Sequence, residues 1–200
     1  MSSGLIALCN DALIRVGGGR IADFEEETEE ARQCRLVYPQ ERLSLLSDHE
    51  WTFAKKYWTL SLVSDEAYMD WSFTYLMPSD CVKPLRIQNS LSRKDPSLLP
   101  PYELVSDKEN DRVLLLTNVG GAVLVYIADI DFVALFPAKF RNALMLRMAS
   151  VLALSLKQNT GLSDYLRQMA ETAVTWATAS DANVEHQDVV SDNVFVKARG

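Results

Sequence analysis

The sequence predicts an α+β protein: a four-helix bundle with an inserted, mainly antiparallel β-strand region and an extended C-terminal tail. Apolar residues recur at three- and four-residue spacing through the first fifty positions, and again from about Phe136 to Trp176. Between them lies a stretch rich in aromatic and β-branched residues, punctuated by Gly and Pro. Neither helical pair alone buries its stripe, so both are expected around one core with the strands as a lateral insertion. Residues 1–181 are then one domain, with helices over about 3–16, 25–47, 136–158 and 161–180 and strands within about 51–130; residues 182–200 form the tail.

In the first helix Leu5, Leu8, Cys9, Ala12, Leu13 and Val16 share one face, Ser2 or Ser3 supplies a cap, and Gly17-Gly18-Gly19 ends it. The second helix is expected from Glu25 to about Ser47, with Ala31, Cys34, Val37, Tyr38 and Leu45 inward and Pro39 kinking or dividing it. Extended segments are expected at Trp51–Leu62, Trp71–Met77, Val82–Ile87, Tyr102–Val105, Arg112–Thr117 and Ala122–Ala128, with an irregular loop from Asn89 to Pro101. Asn118-Val119-Gly120-Gly121 reads as a tight hairpin turn joining the last two strands. The third helix carries Phe136, Phe140, Ala143, Leu144, Met148, Val151, Leu152 and Leu156, with Pro137 in its first turn. After the break at Asn159-Thr160-Gly161, the fourth carries Leu162, Tyr165, Leu166, Met169, Ala173 and Trp176. Beyond Asp181 the periodicity fades.

A chain of 200 residues buries a core without disulfides or metal. Its 20 basic and 27 acidic side chains, net −7, repel phosphate unless Lys and Arg gather on one face, which argues against a dedicated DNA reader. Met1-Ser2-Ser3-Gly4 has no basic region before the apolar residues, so no signal peptide is expected. The apolar stretch Met148–Leu156 is too short to span a bilayer. Three widely spaced cysteines, Cys9, Cys34 and Cys81, suit reduced thiols in a cytoplasm.

No motif for chemistry stands out. His49 and His186 are far apart and form no zinc pattern. Gly17-Gly18-Gly19-Arg20 follows a helix and lacks the Lys of a phosphate loop. Asp129 and Asp131 suit turns and caps better than acid–base work. A Cys34 or Cys81 thiol with His49 as base is conceivable only in space, and a buried structural cysteine is the plainer reading. No cofactor or metal site is expected. The acidic run Glu25, Glu26, Glu27, Glu29 and Glu30 either opposes the positive end of the second helix or lines a passage through which DNA slides without sticking. Trp51, Phe53, Tyr57, Trp58, Trp71, Phe73 and Tyr75 suit core and interface packing better than base stacking, because few basic residues accompany them.

Several phrases, in order, resemble the head-to-tail adaptor family of tailed phages that includes the tail tubular protein A of short-tailed phages. They are Cys9-Asn10-Asp11-Ala12-Leu13 with Val16-Gly17 and Ile21; Ala31, Cys34, Tyr38 and Arg42; and His49-Glu50-Trp51-Thr52-Phe53-Ala54. Trp71, Phe73 and Tyr75 with Pro78-Ser79-Asp80-Cys81 follow, and then Tyr126, Asp129, Phe136-Pro137, Phe140, Ala143-Leu144 and Leu152-Ala153. The likeness covers residues 4–176; Glu50 stands where the family has proline, and the segment after Asp181 does not align. The resemblance implies a non-enzymatic virion protein of the neck, made in the host cytoplasm. It would form a homo-oligomeric ring of about twelve copies between the portal protein and a tail or nozzle protein. Phage DNA would pass through without specific binding, and no membrane is involved. In that setting Glu25, Glu26, Glu27, Glu29 and Glu30 are the channel-lining candidates, and Val194, Phe195, Lys197 and Arg199 the portal-docking candidates, Phe195 as anchor. The alternatives are a small-molecule or regulatory binding module of a prophage and, behind it, a thiol-dependent enzyme.

Overall fold

A computed structural model describes residues 3–65, 68, 70–88 and 98–190. The protein is α+β, with four helices and two antiparallel sheets. It divides into two compact units: a helical one from the segments before Ala54 and after Asp129, and a strand unit, Ala54–Asp129.

In the helical unit, α1 (Ser3–Arg15) buries Leu8, Cys9, Ala12 and Leu13, as its stripe predicts. It closes at Gly17, whose φ of +67° is costly for any residue with a Cβ. Asn10 then holds the departing chain: its Nδ2 donates to the Ile21 carbonyl and its Oδ1 accepts the Ile21 N–H, both at 2.9 Å. Helix α2 (Glu29–Asp48) begins four residues after the expected Glu25, because Thr28 caps it by accepting the Ala31 N–H at 3.3 Å. It buries Ala31, Cys34, Val37, Tyr38, Arg42, Leu45 and Leu46 and runs undivided through Pro39.

Trp51 is not the start of a strand. It is buried beside a 3-10 turn, Thr52–Ala54, and its indole N–H donates to the Leu45 carbonyl at 2.8 Å. Its ring meets Phe140 edge-on at 4.9 Å, and Phe53 and Phe136 extend the cluster. Helix α3 (Ala138–Lys157) starts after Pro137 and packs against α1, against α2 and against the last helix, α4 (Thr160–Val190). Of its expected face, Phe140, Ala143, Leu144, Met148 and Leu152 are buried, while Val151 is exposed and Leu156 half-buried. Gln158, at φ +50°, ends α3, and Asn159 caps α4 by accepting the Leu162 N–H at 3.0 Å; Gly161 does neither.

Helix α4 departs from expectation twice. Its buried face is Leu166, Ala170, Ala173, Ala177 and Asp181, whose three alanines let α3 approach closely, whereas Tyr165 and Trp176 are 59% and 68% exposed. It also continues to Val190, so residues 182–190, expected to be extended, are helical. Fading apolar periodicity is no stop signal, and the sequence has neither Gly nor Pro between Leu162 and Arg199. Residues 191–200 lie outside the described residues.

In the strand unit, β1 (Lys55–Thr59), β7 (Val123–Ala128) and β4 (Cys81–Gln88) form a three-stranded sheet in the order β1-β7-β4. A four-stranded sheet has the order β2-β3-β6-β5, from β2 (Ser61–Ser64), β3 (Phe73–Leu76), β6 (Arg112–Thr117) and β5 (Tyr102–Asp107). The expected strand from Trp51 to Leu62 is thus two strands in two sheets, divided at Leu60. The expected β6–β7 hairpin does not form either. The turn between them exists, with Gly121 at φ +63°, but its polar groups serve other partners. Asn118 Oδ1 accepts the Ser72 N–H at 2.8 Å, and the Val119 carbonyl accepts from Tyr75 Oη at 2.9 Å. The chain therefore leaves one sheet and enters the other. Of the expected Asn89–Pro101 loop, residues 89–97 lie outside the described residues.

Candidate functional site

The acidic segment is the first candidate, and most of it is occupied with its own fold. Glu26 turns its carboxylate back onto the N–H groups of Ala22 and Asp23, at 2.6 and 2.9 Å. Arg35 crosses from α2 to donate to the carbonyls of Phe24 and Glu26. Glu30 accepts the Gly19 N–H at 3.1 Å. Glu29 accepts hydrogen bonds from Gln33 and Arg32, which hold its carboxyl below the usual range. Only Glu29 and Glu30 lie in the first turn of α2, so the opposition to the helix dipole applies to these two alone. Glu25 and Glu27 are exposed on the turn before it. The portal-docking candidates Val194, Phe195, Lys197 and Arg199 lie outside the described residues.

Two polar clusters went unread in the sequence because their members lie far apart along it. In the helical unit Asp181, only 7% exposed, accepts from Thr52 N at 3.0 Å and Thr52 Oγ1 at 2.6 Å, and lies 3.4 Å from His49 Nε2. This ties α4 to the turn that follows α2. In the strand unit Asp80 accepts from Tyr126 Oη at 2.9 Å and Lys56 Nζ at 2.7 Å, joining β1, β7 and the entrance to β4. Burial pushes the Asp80 carboxyl up, but those two hydrogen bonds outweigh it and hold it below the ordinary carboxylate value. Burial, followed by the same hydrogen bond, raises the Tyr126 hydroxyl.

Cys9 and Cys34 are fully buried side by side, and the hydrogen bond between them, then burial, raises the Cys9 thiol, while the same hydrogen bond lowers the Cys34 thiol against the effect of its burial. Burial pushes Cys81 up to about 11, with Asp80 adding to the effect. His49 meets Asp181 and the edge of the Trp51 ring, and Cys34 meets Cys9. Among the described residues no group of three or more His, Cys, Asp or Glu converges to hold a metal ion, and no helix is long and apolar enough to cross a membrane.

What the described residues do present is uncovered apolar surface. Tyr165 and Trp176 flank an open groove of 280 Å³ between α3 and α4, floored by Leu146, Met169 and Ala173. Leu36 and Leu43, one heptad apart, are exposed on α2. In the strand unit Tyr57 and Trp58 on β1 and Leu62 and Val63 on β2 are exposed. The signal for the α4 surface was present: Leu166, Ala170, Ala173 and Ala177 share one helical face, which leaves Tyr165 and Trp176 on another.

Several residues that carry the family resemblance hold parts of the fold together. Asn10 clamps Ile21, Asp80 receives Tyr126, Trp51 packs on Phe140, and Tyr38 Oη donates to the Asp131 carbonyl at 3.2 Å. No protein-family model matches the chain, and no curated protein matches it in sequence.

Proposed function

We propose that this protein is a structural, non-enzymatic head-to-tail adaptor of a tailed-phage virion. It forms a homo-oligomeric ring in the neck, between the portal and the tail or nozzle protein, through which DNA passes without specific binding. The observation that carries the reading is the uncovered apolar surface on separate elements, with Trp176, Tyr165, Tyr57 and Trp58 each more than half exposed. A protein that works as a monomer rarely leaves so many large apolar side chains in water, whereas a ring subunit needs one surface for each neighbour and another for its docking partners. The family resemblance supports the same reading, because residues that carry it, among them Asn10, Trp51, Asp80, Tyr126 and Phe140, hold parts of the fold together. In this reading the four helices act as one bundle built around α3, Glu25 and Glu27 are the acidic side chains offered to passing DNA, and the segment after α4 docks on the portal through Val194, Phe195, Lys197 and Arg199.

Electron microscopy of the protein mixed with the portal protein of the same genome tests this. Rings of the protein seated on one end of the portal are expected; a portal that stays bare at high adaptor concentration rejects the proposal. Deleting residues 191–200 is expected to abolish portal binding while leaving thermal unfolding unchanged. Undiminished binding by that variant would remove the docking role from the segment.

A further inference from the structure

Of the three free cysteines, Cys81 belongs to the strand unit, while Cys9 and Cys34 meet in the helical one. Both are fully buried, Cys9 in the middle of α1 and Cys34 in the second turn of α2. Each is one turn from a fully buried alanine on its own helix, Ala12 and Ala31. Small side chains at these positions let the two helices approach, and the thiols touch through a hydrogen bond from one sulfur to the other. Sulfurs already in contact need only a small closing movement to reach the disulfide separation of about 2.05 Å.

The chain between the two cysteines is pinned from both helices. Beside Cys9, Asn10 holds Ile21 through two hydrogen bonds. From α2, Glu30 accepts the Gly19 N–H, and Arg35, next to Cys34, donates to the carbonyls of Phe24 and Glu26. The meeting of the two sulfurs is therefore fixed by contacts that do not involve sulfur, and it persists whichever redox state the thiols take.

We propose that Cys9 and Cys34 are a redox lock: a disulfide forms between them in the folded protein and staples α1 to α2. The oxidant is a low-molecular-weight disulfide such as oxidised glutathione, which reaches the pair when α1 transiently lifts away. One cysteine thiolate attacks a sulfur of the oxidant; a mixed disulfide forms, the oxidant's own S–S bond breaks, and one glutathione leaves as thiolate. The second cysteine, as thiolate, attacks the sulfur of the first; the protein disulfide forms and the other glutathione leaves. The two protons given up by the cysteines end on the two glutathione thiols, and the two electrons lost by the protein pair reduce the oxidant. Reduced, the pair packs as two small apolar side chains. Oxidised, it encloses residues 9–34 in a covalent loop, which restricts the unfolded chain far more than the folded one. The lock needs no partner chain, so it stands whether or not the protein is an adaptor.

The test uses the full chain carrying Cys81→Ser, equilibrated with mixtures of reduced and oxidised glutathione in native buffer and in concentrated urea, then acid-quenched and weighed by mass spectrometry. The expected product is lighter than the reduced chain by two hydrogens, and its tryptic digest joins Met1–Arg15 to Gln33–Arg35. Because the fold holds the sulfurs together, the equilibrium constant for the disulfide is expected to be on the order of a hundredfold larger in native buffer than in urea. By linkage, the oxidised chain should unfold at a higher urea concentration than the reduced one. Adding Cys34→Ala is expected to abolish that difference while the helical circular dichroism remains. Should this variant fail to fold, the reduced and oxidised forms of the Cys81→Ser chain decide the matter by themselves. An equilibrium constant no larger in native buffer than in urea overturns the proposal. So does a folded chain that ends as a glutathione adduct, or as disulfide-linked dimers, in place of the internal bond.

Discussion

Asp181 is the side chain whose removal is expected to be felt most among the polar groups of the helical unit. Its carboxylate is buried and answers both the N–H and the hydroxyl of Thr52 beside His49. Asp181→Ala strands those donors, which costs about 2–3 kcal/mol in urea unfolding; Asp181→Asn keeps one acceptor and is expected to fall between. Asp80 gives a pH-dependent case. Its folded carboxyl titrates below the unfolded value of about 3.9, so its contribution is complete above that value and lost as pH falls through the folded one. The carboxylate is about a third exposed, so solvent screening limits the effect to about 1 kcal/mol. The stability gap between wild type and Asp80→Asn is expected to be level from about pH 7 to 5 and to close below about pH 4. A gap that widened on acidification would contradict the geometry around Asp80. Neither cluster could be read in the sequence, because the partners are 129 and 46 residues apart.

At the scale of the element, helices were legible and strand pairing was not. The stripes of α1 and α2 follow from spacing alone, since partners on a helix lie three or four residues apart. Thr28 and Gln158 moved the boundaries by a few residues, as caps decide ends and periodicity does not. In α4 the expected Leu166 and Ala173 are buried and Leu162 and Met169 half-buried, whereas Tyr165 and Trp176 are exposed, because closeness to α3 favours alanine at Ala170 and Ala177. Ala177→Leu is therefore expected to cost about 1–3 kcal/mol by overpacking. Trp176→Ala should leave stability within about 0.5 kcal/mol and weaken assembly instead. A Trp176→Ala protein that melted far below wild type would show that the side chain is packed after all. Glu26 and Glu30 carry a parallel lesson: an acidic run suggested a single electrostatic role, while individual carboxylates serve individual backbone donors.

For the whole molecule, the division into a helical and a strand unit was partly legible, because the insertion differs in composition from its flanks. The assignment of strands to two sheets was not, since a short apolar run carries no record of its neighbour. Among the described residues β7 is the only strand paired with β1 and with β4, and it lies some sixty residues after β1. On a ribosome, β1 leaves the exit tunnel early and waits, with Tyr57 and Trp58 bare, until β7 has been synthesised; α1 and α2 likewise wait for α3. Refolding should therefore be slow for a chain of this size, in the millisecond-to-second range. Pulse-labelled hydrogen exchange should show amides of the four-stranded sheet protected before those of β1 and β4. Nascent chains stalled before residue 123 would then be the species most in need of a chaperone, and the most prone to aggregate without one.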